Sequence, residues 1–245
     1  MIISRLNPLI EALEKGRPLN KVWLADTVRG PKIERVKELC RSAGVVFQFV
    51  PASAIARKTG GCHQGVWAEM APVRFYELED LLAPAAGKPG LLLALDGVED
   101  AGNLGAIVRT AAAADVNGIV MAARRAAPVN ETTLSASAGA LTQVKIARIP
   151  NLAMGLDRIK EAGFWVVGAD GRAGQRYDEY DFRSPTAILM GGENRGISPA
   201  LKKACDVLVR IPLAPSVESL NVAAASAVML FEALRQRGKW QTVSY

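Results

Sequence analysis

The stretch from Ile211 to Leu234, IPLAPSVESLNVAAASAVMLFEAL, limits what this chain can fold into more than any other. Pro212 and Pro215 keep its first part extended or looped, because proline lacks the N–H and the free φ that a helix interior needs. Ser219-Leu220-Asn221 follows, and either Ser219 or Asn221 suits the cap of a helix. That helix opens on Ala223, Ala224, Ala225, Ser226 and Ala227, so its first turns are small on every side. Such a surface lets another backbone come very close. A buried C-terminal helix would by itself explain the stretch. Residues 96–110 and 188–198 tie it instead to a ligand.

A chain of 245 residues, 50% hydrophobic, has apolar surface enough for one large domain or two modest ones. Its three cysteines, Cys40, Cys62 and Cys205, are far apart and form no CxxC pair. That argues against a disulfide framework or a zinc site and for a reducing cytoplasm. The opening MIISRLNPLIEALEKG has no apolar signal core, and the longest apolar run, from Val222, meets Glu232 too soon to span a membrane. The net charge of +6 is uneven: residues 1–75 hold 12 Lys and Arg against 6 Asp and Glu, and residues 76–245 hold 18 of each. A small basic module joined to a neutral larger one suits a polyanion partner, with a solvated basic surface as the alternative.

Residues 1–72 alternate helix and strand. Leu9, Ile10 and Leu13 share one side of a first helix after Pro8; Lys21 to Leu24 reads as a strand. Ile33, Val36 and Leu39/Cys40 recur at helical spacing from Pro31 to Ser42, Val45 to Val50 is a strand, Ser53 to Lys58 a short helix, and His63 to Ala68 a strand. Residues 73–89 mix acidic residues, Pro and Gly and are expected to form a linker with at most one short helix. Residues 90–245 open on Leu91-Leu-Leu-Ala-Leu95, a continuous apolar strand that needs cover on both faces. Strands are predicted at 118–122, 144–149, 164–169, 186–190 and 207–211. Helices are predicted near 104–114, 130–139, 151–162, 199–204 and 221–237. The result is a parallel α/β layout.

Several chemistries are excluded. No GxGxxG follows a strand, no GxxxxGK[ST] or GxSxG occurs, and His63 is the only histidine. Dinucleotide, P-loop and serine-hydrolase sites are therefore unsupported, as is a histidine base in the larger domain. Two stretches remain. In DGVEDAGNLGAIVRT, a strand ends at Asp96 and a glycine-rich turn places Asn103 at a helix N-terminus as its cap. Arg109 follows about two turns later; its apolar sequence neighbours call for an anionic partner, such as Glu193, or a ligand. In ILMGGENRGIS, a strand runs into Gly191 and Gly192, which would allow backbone approach to a ligand, then Glu193; Ser198-Pro199 starts the next helix.

The three segments DGVEDAGNLGAIVRTA, ILMGGENRGIS and IPLAPSVESLNVAAA, in this order, resemble the motifs of the SpoU/TrmH family of RNA ribose 2′-O-methyltransferases, of the SPOUT superfamily. Ser137-Ala-Gly-Ala140 also looks like the family, whereas Thr142-Gln-Val-Lys145 departs from it. The N-terminal module, through Asn7-Pro8, Glu11-Ala-Leu13 and His63-Gln-Gly-Val66, is similar to the RNA-binding domain of the ribosomal RNA branch, which has a ribosomal-protein-L30-like (L30e-like) fold. The resemblance covers essentially the whole chain. It implies an L30e-like α/β domain over 1–72, a linker over 73–89, and a methyltransferase domain over 90–245 whose C-terminal segment threads a trefoil knot.

By motif position, the resemblance implies that Gly191, Ile211 and Leu220 hold S-adenosylmethionine and that Met190, Gly192 and Leu213 line it. Arg109 would act at the ribose hydroxyl, with Asn103, Glu193, Ser219 and Asn221 orienting the reacting groups. The family implies a homodimer whose site is shared across the interface. The expected reaction needs no metal and no membrane. The basic module supplies candidate RNA contacts at Arg29, Lys32, Arg35, Arg57 and Lys58, with Lys37 and Arg41 nearby. The resemblance favours a guanosine of 23S ribosomal RNA. A transfer RNA or an adenosine of ribosomal RNA remains open as substrate, and so does a non-catalytic ribosome-assembly factor; a nucleotide-dependent dehydrogenase is disfavoured.

Overall fold

The structure, a computed structural model, describes residues 2–61, 63–83, 89–193 and 195–238. It divides into two units: Met1–Arg74 with Pro128–Glu131, and Phe75–Ala127 with Thr132–Tyr245.

The first unit contains β1 (Ile2–Ile3), α1 (Leu6–Glu14), β2 (Leu19–Ala25), α2 (Pro31–Ser42), β3 (Phe47–Val50), α3 (Ala52–Thr59) and β4 (Val66–Met70). Its sheet has the order β1-β4-β2-β3. Strand alternation sends Val22 and Leu24 to one face, against Leu9 and Leu13 of α1 and Ile33, Val36 and Cys40 of α2. Trp23 and Trp67 turn to the other face, where Ile55 of α3 packs. Asn20, buried, donates to the Val129 carbonyl at 2.8 Å and accepts its N–H at 3.0 Å, which ties residues 128–131 to this unit. The strand expected from His63 begins only at Val66. Before it, His63 Nδ1 accepts the Gly65 N–H at 3.0 Å, and Gln64 Oε1 accepts the Leu6 N–H at 3.0 Å. Gly65 has φ +71°, and a Cβ there would stand 2.0 Å from Val28 Cγ1. These residues shape a turn rather than a strand.

The second unit begins with α4 (Leu78–Leu82), β5 (Leu91–Asp96), α5 (Ala101–Ala113), β6 (Gly118–Ala122) and α6 (Glu131–Ala136). It continues with β7 (Ile146–Ile149), α7 (Leu152–Glu161), β8 (Trp165–Ala169), β9 (Gln175–Arg176), β10 (Thr186–Gly191), α8 (Pro199–Ala204), β11 (Val207–Arg210) and α9 (Val222–Gln236). Its sheet has the order β7-β6-β5-β10-β8-β11-β9, and every neighbouring pair is parallel. Leu91 to Leu95 and Thr186 to Met190 are buried throughout, as central strands covered on both faces must be. Leu152, Leu156 and Ile159 of α7 cover one face together with Leu78 and Leu81 of α4. α5 packs against α9, and α9 against β10.

One expected boundary is corrected. Residues 75–83 are part of the second unit, because Leu78 and Leu81 are almost fully buried in its core. Residues 84–88 of the expected linker, Cys62, and residues 239–245 lie outside the described residues. Among the described residues, no helix is long and apolar enough to cross a membrane.

Candidate active site

Parallel sheets gather their loops, and hence their ligands, beyond the C-terminal ends of the strands. Here a cleft of about 220 Å³ opens at the ends of β8 and β10. Ala169, Asp170 and Gly171 line it after β8, and Met190 to Glu193 and Gly196 after β10. Ile211, Leu213, Glu218, Ser219 and Leu220 of the loop after β11, with Val222 and Ala225 of α9, complete it. All six residues assigned to the cofactor by motif position, Met190, Gly191, Gly192, Ile211, Leu213 and Leu220, therefore lie on one cleft.

The glycines are needed here, but not first for the reason expected from sequence. A Cβ at Gly191 would stand 2.0 Å from the Gly196 carbonyl carbon and 2.1 Å from the Ile197 nitrogen. At Gly192 it would stand 2.2 Å from the Gly97 carbonyl oxygen. The closest backbone approached by both residues is thus the protein's own. The Gly192 N–H donates to the Asp96 carbonyl at 2.7 Å, and the Gly196 N–H to the Gly192 carbonyl at 2.9 Å. The Ser198 N–H donates to Asp96 Oδ2 at 2.8 Å. These bonds fix the turn after β10 against the end of β5. Ser198 occupies the cap position of α8 without a side-chain capping bond.

Three distant stretches meet beside the cleft. Asn103 is not the cap of α5; Asp100 is, its Oδ1 accepting the Asn103 N–H at 2.7 Å. That leaves the Asn103 amide free to reach outward. Its Nδ2 donates to Glu193 Oε1, and its Oδ1 accepts from Asn221 Nδ2 at 3.0 Å. Asn221 also caps α9, its Oδ1 accepting the Ala223 and Ala224 N–H groups at 2.8 and 3.4 Å. One chain of side-chain hydrogen bonds therefore links residues 103, 193 and 221. Ser219 lines the cleft beside it without entering that chain.

Arg109 does not join this network, and its expected pairing with Glu193 is absent among the described residues. The buried stripe of α5 is Leu104, Gly105, Ile107, Val108 and Ala111. Position 109 lies about 100° around the helix from Val108, on the solvent side, so the apolar residues beside it in sequence are not its neighbours in space. An exposed guanidinium needs no internal partner.

Sequence reading missed Asp170 and Glu218. Asp170 directly follows β8 and Asp96 is the last residue of β5, each before a glycine, and that repeated Asp–Gly at a strand end was the available signal. Burial alone would raise the Asp170 carboxyl, but Lys202 Nζ at 2.6 Å and the Arg172 N–H at 3.1 Å hold it below its ordinary value.

The five RNA-contact candidates belong to the first unit. Arg29 bonds the carbonyls of Asp26 and Val28, Lys32 the Asn7 side chain, and Arg35 the Glu14 carboxylate. α2 packs on one face of the sheet and α3, which carries Arg57 and Lys58, on the other. Of the two further cations near these candidates, Lys37 pairs with Glu34, and Arg41 lies 5.7 Å from the Phe47 ring centroid.

Residues 90–231 match the model of the SpoU rRNA methylase family, and residues 6–76 match that of the RNA 2′-O ribose methyltransferase substrate-binding domain. YacO of Bacillus subtilis, assigned to the TrmH family of tRNA/rRNA methyltransferases, is 39% identical over 234 residues, 94% of each chain. A relative from Staphylococcus saprophyticus, with the same family assignment, is 35% identical across 97% of this chain and 96% of its own. Among solved structures, the SpoU methyltransferase AviRb from Streptomyces viridochromogenes in complex with AdoMet is 26% identical, with a TM-score of 0.63 over 98% of this chain and 91% of that one. The AdoMet-bound rRNA methyltransferase from Sinorhizobium meliloti is 30% identical, with a TM-score of 0.61 over 96% and 86%.

Proposed function

The chain belongs to the SpoU rRNA methylase family, and from that premise we propose that it methylates a ribose 2′-hydroxyl on a guanosine of 23S ribosomal RNA, in the cytoplasm, as a homodimer. One observation carries this reading. The six cofactor candidates share a single cleft, and the Asn103–Glu193–Asn221 chain of bonds lies at its edge. The basic first unit and the substrate-binding family match over it support RNA as the partner.

The cofactor is S-adenosylmethionine, which supplies a methyl group on a positively charged sulfur, already activated for attack by oxygen. The cleft suits it: a narrow cradle of glycines, apolar Met190, Ile211, Leu213 and Leu220, and the carboxylates of Glu193 and Glu218 for its positive charge. Gly191, Ile211 and Leu220 hold it; Met190, Gly192 and Leu213 flank it. A trefoil knot through the segments after β10 and β11 would keep these loops in place. Asn103 uses its amide to join the turn after β10 to the cap of α9, so it positions Glu193 and Asn221. Ser219 faces the same space and helps to orient the RNA.

Arg109 stays protonated, so its role is to grip an RNA phosphate and polarise the neighbouring hydroxyl, with water taking the proton. Holding the two reactants in line accounts for much of the rate. Its exposure on the protomer fits work across a dimer interface, opposite the partner's cleft. The exposed apolar side chains Val217 and Phe231, outside the cleft lining, offer that interface surface.

The test is methyl transfer to unmodified transcripts of 23S RNA, 16S RNA and transfer RNA, followed by mapping of 2′-O-methyl positions. A guanosine of the 23S transcript is the expected product. Modification confined to transfer RNA, or to an adenosine, would overturn the assignment of substrate.

A further inference from the structure

On the α3 face of the first unit's sheet, two indoles lie one against the other. Trp23 of β2 and Trp67 of β4 are cross-strand partners in register. Their ring centroids are 3.8 Å apart and their planes differ by 19°. Cations flank the pair. The Lys21 ammonium is 5.2 Å from the Trp23 ring centroid, and that of Lys58 is 5.6 Å from the Trp67 ring centroid. Gln48, opposite Trp23 on β3, accepts from Lys21 at 2.8 Å. Trp67 is only 7% exposed, yet its Nε1 has no hydrogen-bond partner among the described residues. Trp23 keeps part of its surface open to solvent.

Packing alone explains why an indole sits at position 67. It does not explain the rest of the set. Ala25, Val28, Val50, Ala52 and Ile55 pack against the pair, but two ammonium groups border it as well, which a purely apolar core would not need. A buried indole donor without an acceptor is also costly in a finished core. A stacked aromatic surface with lysines at its margins is what a single-stranded nucleic acid needs: the ring takes a base, and the cations take the phosphates on either side. Residues 1–75, which carry the stack, also hold the whole net positive charge of the chain.

We propose that Trp23 is the stacking platform for an unpaired base of the RNA substrate, that Trp67 backs it, and that Lys21 and Lys58 bind the phosphates flanking that base. The inference rests on the reading of this chain as an enzyme acting on RNA, and it adds that the first unit selects an unpaired nucleotide. In a continuous duplex each base is already stacked on both sides, so it has no face to offer Trp23.

The experiment uses the full-length protein and a single-stranded RNA of about ten nucleotides with 2-aminopurine at its centre, beside the same strand closed into a duplex. Wild type is expected to quench the single-stranded probe and to bind the duplex more weakly. Trp23→Leu abolishes the quenching and lowers affinity about tenfold, within the range that loss of one stacked base produces. Trp23→Phe, which keeps an aromatic face, restores most of both. Lys21→Gln and Lys58→Gln leave the quenching in place and each lower the slope of log affinity against log salt by about 0.7. Unchanged S-adenosylmethionine affinity and melting temperature exclude misfolding of these variants. Equal affinity of Trp23→Leu and wild type overturns the platform, as does wild type failing to quench the probe or binding the duplex equally well. A quenched probe with no methyl transfer to any RNA has the opposite meaning: the platform stands and the enzymatic reading falls.

Discussion

Asn221 has two separable jobs, and substitutions can remove them one at a time. Its Oδ1 caps α9, while its Nδ2 donates to Asn103. Asn221→Ala removes both. The lost cap costs about 1 kcal/mol, which for a domain of this size lowers the melting temperature by roughly 2–4 °C. Asn221→Asp keeps the capping oxygen and adds a negative charge at a helix N-terminus, where it is favoured by about 0.3–1 kcal/mol. Its helix-capping contribution should therefore match wild type or slightly exceed it. But a carboxylate cannot donate to Asn103 Oδ1. The Asn103 amide must turn over to serve it, which points the same oxygen at Glu193. One lost hydrogen bond of about 0.5–1.5 kcal/mol corresponds to roughly a two- to twelvefold effect on binding or turnover, and the new clash at Glu193 adds to it. Thermal unfolding, calorimetric titration of S-adenosylmethionine and turnover on RNA separate the two jobs. Stability should fall further in Asn221→Ala, which loses the cap as well as the bond to Asn103, than in Asn221→Asp, and function should fall in both. Full turnover by Asn221→Asp would refute the network; equal destabilisation of the two variants would refute the cap.

Three further outcomes are expected. Gly191→Ala, which drives a Cβ into the Gly196–Ile197 backbone, should lower stability by about 1–3 kcal/mol and abolish measurable cofactor binding by titration. Arg237 donates to the carbonyls of Pro89, Gly90, Phe182 and Ser184; Arg237→Ala should therefore lower stability by roughly 2–4 kcal/mol in denaturant unfolding while leaving cofactor affinity at low temperature unchanged. Because the Asp170 carboxyl is held below its ordinary value in the folded protein, its contribution is present above the unfolded carboxylate pKa of about 3.9 and is lost as pH falls through that region. Melting curves of Lys202→Met should accordingly lose less stability than wild type between neutral pH and acid.

The sequence was most informative where residue type and spacing are local. The leucine run of β5, the alternating elements from β6 to α9 apart from β9, and the two glycine-containing turns after β5 and β10 were legible because each follows from neighbours a few positions apart. The cleft-lining positions were reached through the family resemblance, and the structure brings them together. What failed was long-range or depended on small phase differences. Asn103 looked like a cap because it follows a glycine, but Asp100, three residues earlier, holds that place. Arg109 looked buried because the residues beside it are apolar, yet one step along a helix is a turn of 100°. α4 was read into a linker because five residues, LEDLL, are too few for a periodic signal amid Glu77, Glu79 and Asp80; only the core of β6, β7 and α7 shows why Leu78 and Leu81 are there. The two-residue β9 carries no apolar pattern at all. The stacking of Trp23 on Trp67 needed the antiparallel register of β2 and β4, which residues 44 positions apart do not reveal.

The most direct test of the central claim uses methyl-labelled S-adenosylmethionine, RNA, and alkali. Alkaline cleavage of RNA requires a free 2′-hydroxyl, so a methylated ribose leaves its label in an alkali-resistant dinucleotide. Wild type should place the label there. Arg109→Ala, with the same cofactor affinity, should reduce it by orders of magnitude, because the proposed role of the arginine falls mainly in the transition state. Label released in mononucleotides would mean that a base, not a ribose, is the acceptor, and undiminished label from Arg109→Ala would remove the arginine from the mechanism.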